Sequence, residues 1–308
     1  MRWNRGGLGP NDWYSDWTMF VPADRRGRVH RTSIRNPPGE GPLTMQMQSN
    51  NTMLNSETVR REVNGFSGAE GMTINGTVAK TGLLTGITTA TAAGTYMFMP
   101  DTALAYYGIT FGGMLLALIG ILACGFKPSL SPITALPVSL GLGGFAGGST
   151  YAIGSFVPAA EEGDMLNSAE GAIFAALLLT MTITGSLLGA YATGLIRPNR
   201  MFRNIVLVGI LGVALFSVVG MVMSLFGNST IAQLFSPANG GVVAIGISLV
   251  ITVLYSAILL MDFQMVHQLA QARAPKYMEW YGSQAILYSM VYLYVQLLRL
   301  VVQLMNRD

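Results

Sequence analysis

The chain has 308 residues, of which 51% are hydrophobic and only 11% are charged, against roughly 25% charged residues in an ordinary globular domain. Residues 1–80 contain ten basic and seven acidic side chains, whereas residues 81–308 contain only eight of each. So few charges cannot cover the surface of a soluble domain of that size. The composition therefore predicts a polar N-terminal segment followed by a membrane domain.

Cysteine and histidine are too scarce for several classes of site. Cys124 is the only cysteine, and His30 and His267 are the only histidines. This excludes an intramolecular disulfide and argues against a zinc or haem site. No nucleotide-binding, zinc-protease or serine-hydrolase motif occurs, so we predict no catalytic residue, no metal site and no cofactor. The net charge of +3 is too small to indicate a nucleic-acid partner.

Residues 1–75 have no sustained hydrophobic period and contain Gly-Pro and Pro-Pro-Gly sequences. This composition predicts a polar, disordered segment. An alternative is that its aromatic residues anchor it to the lipid interface. No apolar core of a signal peptide is found in it.

Seven apolar stretches follow, and each is long enough for the roughly 20 helical residues that cross a bilayer core of about 30 Å. They predict an all-α membrane domain over residues 76–306 with seven transmembrane helices. The predicted spans are 79–99, 102–124, 131–157, 168–195, 203–227, 240–266 and 281–304.

The placement of lysine and arginine predicts the orientation of these spans. The connectors after the second, fourth and sixth spans contain six basic residues, and the other three connectors contain none. Because basic connectors stay in the cytoplasm, the N-terminus is predicted to be cytoplasmic and the C-terminus to face outside. The acidic loop at 158–170 then lies outside, and it lacks the spacing of a dedicated calcium-binding loop.

Glycines recur at the small-xxx-small spacing that lets membrane helices pack closely. The dense run at 141–148 could alternatively act as a hinge. The four pairs are Gly82 with Gly86, Gly143 with Gly147, Gly144 with Gly148, and Gly185 with Gly189.

Two ionisable residues lie inside predicted spans, Asp262 in the sixth and Arg299 in the seventh. A charge in the bilayer costs about 2.5–3.5 kcal/mol, so such residues are expected to face protein or water. Each belongs to a polar stripe on one helix face, and such a stripe must face protein or water. The stripe of the seventh span is the longer one, which favours this span as the central helix. The stripes are Ser248, Thr252, Tyr255 and Asp262, and Ser289, Tyr292, Gln296, Arg299 and Gln303.

Asp262 has two interpretations. It is either a cation or proton site on a water-accessible path, where a carboxylate can change its protonation near neutral pH, or a structural group at a helix end. Ser289 is predicted to lie at about the same depth. Arg299 is expected to be structural, bound by a carbonyl or reaching outward. Arg299 and Gln296 are both predicted to supply polar contacts on the outer side of the seventh helix. His267 is expected at the interface, just past the sixth span.

The end of the chain resembles the Bax inhibitor-1 family. The resemblance is carried by AILLMDFQMVHQLAQARAPKYMEWYGSQAILYSMVYLYVQLLRLV, and most specifically by its connector, which is close to the APKxMEWY of a bacterial subfamily. The segments MTINGTVAKTG and FKPSLSPITALP also resemble that subfamily. The likeness covers residues 47–306, so residues 1–46 are expected to be an extension, or Met47 the true start.

The resemblance implies six helices around a central seventh in a bacterial plasma membrane, calcium leak that is pH-sensitive in some members, and a role in stress or cell-death suppression. In well-studied members two aspartates near the cytoplasmic ends of the sixth and seventh helices share a proton and gate the pore. Asp262 matches the first aspartate, but the second falls on Ser289. Gln296 replaces a subfamily glutamate. Arg299 matches an arginine that in some relatives pairs with an acidic residue on the second helix. In this chain the nearest acidic residue in sequence, Asp101, only borders that helix.

Two functional hypotheses follow. The first is a pH-modulated calcium (cation) leak protein with Asp262 on the conduction path. The alternative is a non-conducting regulator that binds another membrane protein, such as the membrane AAA protease that some bacterial relatives modulate.

Overall fold

The structure, a computed structural model, describes residues 71–99, 102–157, 168–196, 198–227 and 229–307. The predicted disorder of residues 1–70, Asp101 and most of the acidic loop therefore lie outside the described residues, whereas residues 71–75 are described and α1 begins among them. Within them the regular structure is helical, which confirms the all-α class. The helices are α1 Ile74–Met97, α2 Ala103–Phe126, α3 Ser131–Gly154, α4 Ala169–Ala192, α5 Arg200–Leu225, the short α6 Thr230–Leu234, α7 Val242–Gln271 and α8 Met278–Met305.

Six helical segments in the described residues are long and apolar enough to cross a membrane. They confirm an integral, multi-pass membrane protein, but their number is one fewer than the seven predicted spans. The first predicted span does form a helix, α1, but its many threonines and glycines keep it out of this set. The six segments are Tyr106–Phe126, Pro128–Gly154, Ala169–Ala192, Arg200–Leu225, Val242–Gln271 and Met278–Met305.

Two helix ends differ from the predicted spans by five residues, the largest differences among the described helices. α1 begins at Ile74, five residues earlier than expected, because the Thr73 side chain caps it by accepting a hydrogen bond from the Gly76 N–H at 3.0 Å. α7 continues to Gln271 and is followed by Arg273 in a left-handed conformation, φ 49°. The expectation that His267 lies just past the helix is therefore wrong, since it lies inside its last turns.

α8 is the most buried of the six candidate segments. Its main neighbours are α1, α3, α4 and α7, while α2 packs chiefly on α3, and α5 packs on α6 and α7. The predicted ring of six helices around the last one therefore stays a prediction.

The four glycine pairs divide into two groups. A Cβ added to Gly143 would lie 2.8 Å from the Thr88 carbonyl oxygen, and one on Gly148 would lie 3.0 Å from Thr110 Cβ. These glycines let α3 approach α1 and α2, as predicted. The prediction is wrong for the other two pairs, since a Cβ at any of their four positions would meet nothing within 4 Å; they are Gly82, Gly86, Gly185 and Gly189.

Candidate functional site

The polar stripes of α7 and α8 lie largely against protein. Ser248 and Thr252 are buried on α7, and the Thr252 hydroxyl donates to the Ser248 carbonyl at 2.8 Å. On α8 the buried members are Ser289, Gln296 and Gln303, whereas Tyr292 and Arg299 are half-buried. Helices α7 and α8 are joined by a short connector and pack against each other, so their stripes can meet at matching depths.

Asp262 and Ser289 are brought together across this contact. The Ser289 hydroxyl donates a hydrogen bond to Asp262 Oδ2. Ser289 is buried and Asp262 is half-buried. Within the described part of the chain no second carboxylate joins the pair. A hydroxyl can orient a carboxylate but carries no charge, so the site holds one negative charge that protonation of Asp262 would remove.

An aromatic layer packs next to this pair between α3, α7 and α8. The Tyr292 ring lies at its centre, with centroids 5.6 Å from Tyr255, 4.5 Å from Tyr288 and 5.4 Å from Phe145. Tyr292 follows Ser289 by three residues on α8, and Tyr255 precedes Asp262 by seven on α7. The layer therefore lies on the side of Asp262 away from the α7–α8 connector.

Arg299 and Gln296 lie beyond the aromatic layer. Arg299 Nε and Gln296 Oε1 are buried without a hydrogen-bond partner among the described residues. The predicted outer-side contacts of these two residues therefore stay a prediction. One turn further along α8, Gln303 Nε2 donates to the Ser236 carbonyl at 3.0 Å, which ties α8 to the segment before α7.

A second polar cluster, at the start of α8, was missed by the sequence analysis. Glu279 is 2% exposed and accepts hydrogen bonds from the backbone N–H and the hydroxyl of Thr73, both at 2.9 Å. It also pairs with the Lys80 ammonium, which lies 5.2 Å from the centre of the Trp280 ring. This largely buried ion pair joins the second turn of α1 to the first turn of α8.

The backbone completes the same junction. The Met72 N–H donates to the Ala274 carbonyl at 2.7 Å, and Gly71 pairs with Pro275 in an isolated β-bridge. The Ser283 hydroxyl donates to the Thr77 carbonyl at 3.0 Å. The APKYMEWY connector is thus clamped to the start of α1. Two signals pointed to this site, namely an N-cap threonine and an acidic residue in a first helical turn. Neither identifies a partner about 200 residues away.

A family model described as Bax inhibitor 1 like matches residues 40–306 of the chain. None of the curated proteins and none of the solved structures compared with the chain gives a match. The matched range includes all eight described helices, Asp262 with Ser289, and the Glu279 cluster. The match covers most of the sequence, and the chain therefore belongs to the Bax inhibitor 1 like family.

Proposed function

We propose that this protein is a calcium-permeable cation leak protein whose flux depends on the protonation of Asp262. The observation that carries the proposal is the hydrogen bond between Ser289 and Asp262, which places a lone carboxylate between two polar helix faces. Polar faces and a carboxylate inside a membrane domain are costly unless they face protein or water, and a water-filled or ion-binding path provides such a setting.

The proposed topology has seven crossings in a bacterial plasma membrane, with the N-terminus in the cytoplasm. Helix α1 has 24 residues, about 36 Å at 1.5 Å per residue, which exceeds a bilayer core of about 30 Å. Counting α1 as a crossing places all the basic connectors on one side. Asp262 then lies toward the cytoplasm and Arg299 toward the outside.

The chemistry assigns one role to each residue of the pair. Ionised Asp262 attracts a cation, and neutral Asp262 does not. The Ser289 hydroxyl holds the carboxylate in place without adding charge. Because ionisation increases with pH, calcium flux is expected to rise as the pH rises through the titration of Asp262.

Replacing Asp262 with asparagine tests this role. The asparagine side chain would keep the shape but lose the charge, so we expect calcium flux into liposomes to fall about tenfold, the lower end of what a focused charge contributes to the local concentration of an ion. The flux should also lose its dependence on pH between about pH 6 and 8. Ser289→Ala is the matched control, since it removes the hydrogen bond but keeps the charge and should retain a pH-dependent flux. An unchanged flux and pH profile in Asp262→Asn would contradict the assignment.

The aromatic layer provides a second test. Tyr292→Ala removes the ring that contacts Tyr255, Tyr288 and Phe145, and so opens the space beside Asp262. We expect the calcium flux to increase several-fold. Tyr107→Ala deletes the same side chain at a position that is 55% exposed on α2, and should leave the flux unchanged. If the flux of folded Tyr292→Ala protein equals that of the wild type, the aromatic layer is not a barrier.

One observation favours the alternative function, a non-conducting regulator of another membrane protein. Asp262 is paired with a hydroxyl, so it cannot share a proton with a second carboxylate as in the relatives described above. The regulator hypothesis expects no calcium flux above that of protein-free liposomes at any pH. It also expects co-purification in detergent of a membrane AAA protease or another membrane protein, and loss of that partner when residues 1–75 are deleted. Flux above protein-free liposomes would reject it.

A further inference from the structure

Two large cavities lie side by side between α1 and α4. Their volumes are about 970 and 920 Å³. They share Thr85, Met181 and Met290 as lining residues, so they form one continuous space, which we call the α1–α4 cleft. Helix α8 backs the whole cleft, with α7 behind one half and α3 behind the other.

Helix packing does not close the cleft. Both α1 and α4 pack on α3, α7 and α8, but extended packing between α1 and α4 is not observed in the described residues. Gly82, which lines the cleft, also has open space in front of it, since a Cβ there would meet nothing within 4 Å. The cleft is therefore a space that the packing of α1 and α4 leaves open.

The two halves of the cleft differ in polarity. The half backed by α7 is lined by Gln264, His267 and Gln271. His267 Nε2 and Gln271 Nε2 lie 3.0 Å apart, and the Gln264 amide donates to the Pro198 carbonyl at 3.2 Å. This half therefore offers imidazole and amide groups to a polar ligand at the end of the cleft.

The half backed by α3 is almost wholly apolar, with Phe174, Leu178 and Val291 in its walls. Two of its threonines have their hydroxyls committed to backbone carbonyls, Thr88 to Ser139 at 3.1 Å and Thr180 to Ala176 at 2.7 Å. A water molecule needs two to four polar partners, so this half is not a stable place for water.

Length and polarity together identify the kind of occupant. The half backed by α7 extends along α1 from Ile74 to Thr85, about 17 Å at 1.5 Å per residue, which is about half of a bilayer core of about 30 Å and so the depth of one leaflet. Its polar end at Gln271 and its apolar stretch toward Met181 and Met290 match the headgroup and one inserted chain of an amphiphile. We propose that the α1–α4 cleft binds one phospholipid, with an acyl chain along Met181 and Met290 and the headgroup at Gln264, His267 and Gln271. The proposal rests on the crossing by α1 but not on calcium conduction.

Native mass spectrometry of the detergent-purified protein tests the proposal. The protein is first reconstituted in vesicles of phosphatidylethanolamine and phosphatidylglycerol and then extracted. Met181→Trp fills the middle of the cleft, whereas Leu179→Trp adds the same side chain at a nearby position of α4 that is 42% exposed and does not line it. We expect one retained phospholipid per chain in the wild type and in Leu179→Trp, and at least a tenfold lower retained fraction in Met181→Trp.

Further variants distinguish loss of the lipid site from a folding defect and from binding of a different occupant. Thr85→Phe fills the same middle region from α1 and should give the same loss of lipid, and thermal unfolding of both variants should remain cooperative. His267→Ala with Gln271→Ala should weaken headgroup selectivity while a chain is still retained. Equal lipid retention in all variants would overturn the proposal, as would a lipid-free wild type. A dimer or partner helix displaced by Met181→Trp would also overturn it. Calcium flux enters none of these readouts, so failure here is distinct from failure of the proposed leak function.

Discussion

Gly141→Leu is expected to prevent the protein from folding. A Cβ at Gly141 would lie 2.6 Å from the Gly113 carbonyl oxygen and 3.0 Å from the Ala117 nitrogen, both backbone atoms of α2. Backbone cannot rotate away as a side chain can, so α2 and α3 would have to separate along their contact. We expect a loss of more than about 3 kcal/mol, beyond the usual cost of overpacking. The measurement is the yield of monodisperse protein and its unfolding temperature in detergent.

Gly185→Leu is the matched control for this prediction. Gly185 also lies in the middle of an apolar helix, but a Cβ there would meet nothing within 4 Å. Its stability should stay within about 0.5 kcal/mol of the wild type, as for an exposed substitution. Equal unfolding temperatures for Gly141→Leu and Gly185→Leu would show that the α2–α3 contact is not as close as described.

Glu279→Ala is expected to lower the free energy of unfolding by about 3 kcal/mol, the cost of breaking a buried ion pair from one side. The change leaves the Lys80 ammonium without its carboxylate and removes the acceptor of the Thr73 N–H and hydroxyl. The Lys80 side chain is 20% exposed, so water compensates it in part and the loss should stay near the lower end of the range. The unfolding temperature in detergent measures the effect.

Two further variants separate the ion pair from a general effect of removing a carboxylate. Glu170 also lies in a first helical turn, that of α4, but it is exposed, so Glu170→Ala should change the stability by less than about 1 kcal/mol. Lys80→Met combined with Glu279→Gln should be more stable than Glu279→Ala alone, because no unpaired charge then remains. The same loss for Glu170→Ala and Glu279→Ala would contradict a special role for the pair.

The membrane architecture could be predicted because it depends on short-range patterns. A run of about 20 apolar residues indicates a span wherever it packs, and six of the seven predicted stretches correspond to segments apolar enough to cross. The exceptions have local causes. α1 is too rich in threonine and glycine to be recognised as a membrane span from its composition, and the Thr73 cap makes the helix begin earlier than its apolar stretch. α7 is longer than its apolar stretch because the mixed segment from His267 to Gln271, which contains three polar residues, continues the helix.

The candidate site could be predicted only in part. The polar stripes and the depth of Asp262 follow from helical periodicity and the short α7–α8 connector, and the structure places Ser289 against Asp262. Its role in ion flux stays a prediction. Periodicity does not show which glycines find a neighbour. Gly143 meets α1, whereas Gly82 and Gly185 have the same spacing motif and face open space.

The class of protein follows from composition and hydrophobic runs, because these are properties of each segment and need no partner. The contacts between distant segments depend on the tertiary structure. It paired Glu279 with Lys80, surrounded Tyr292 with three aromatic rings, and left a cleft between α1 and α4. The physical reason is that a helix presents several faces of similar polarity inside a membrane. Which face packs against protein depends on the shapes of all the neighbouring helices together.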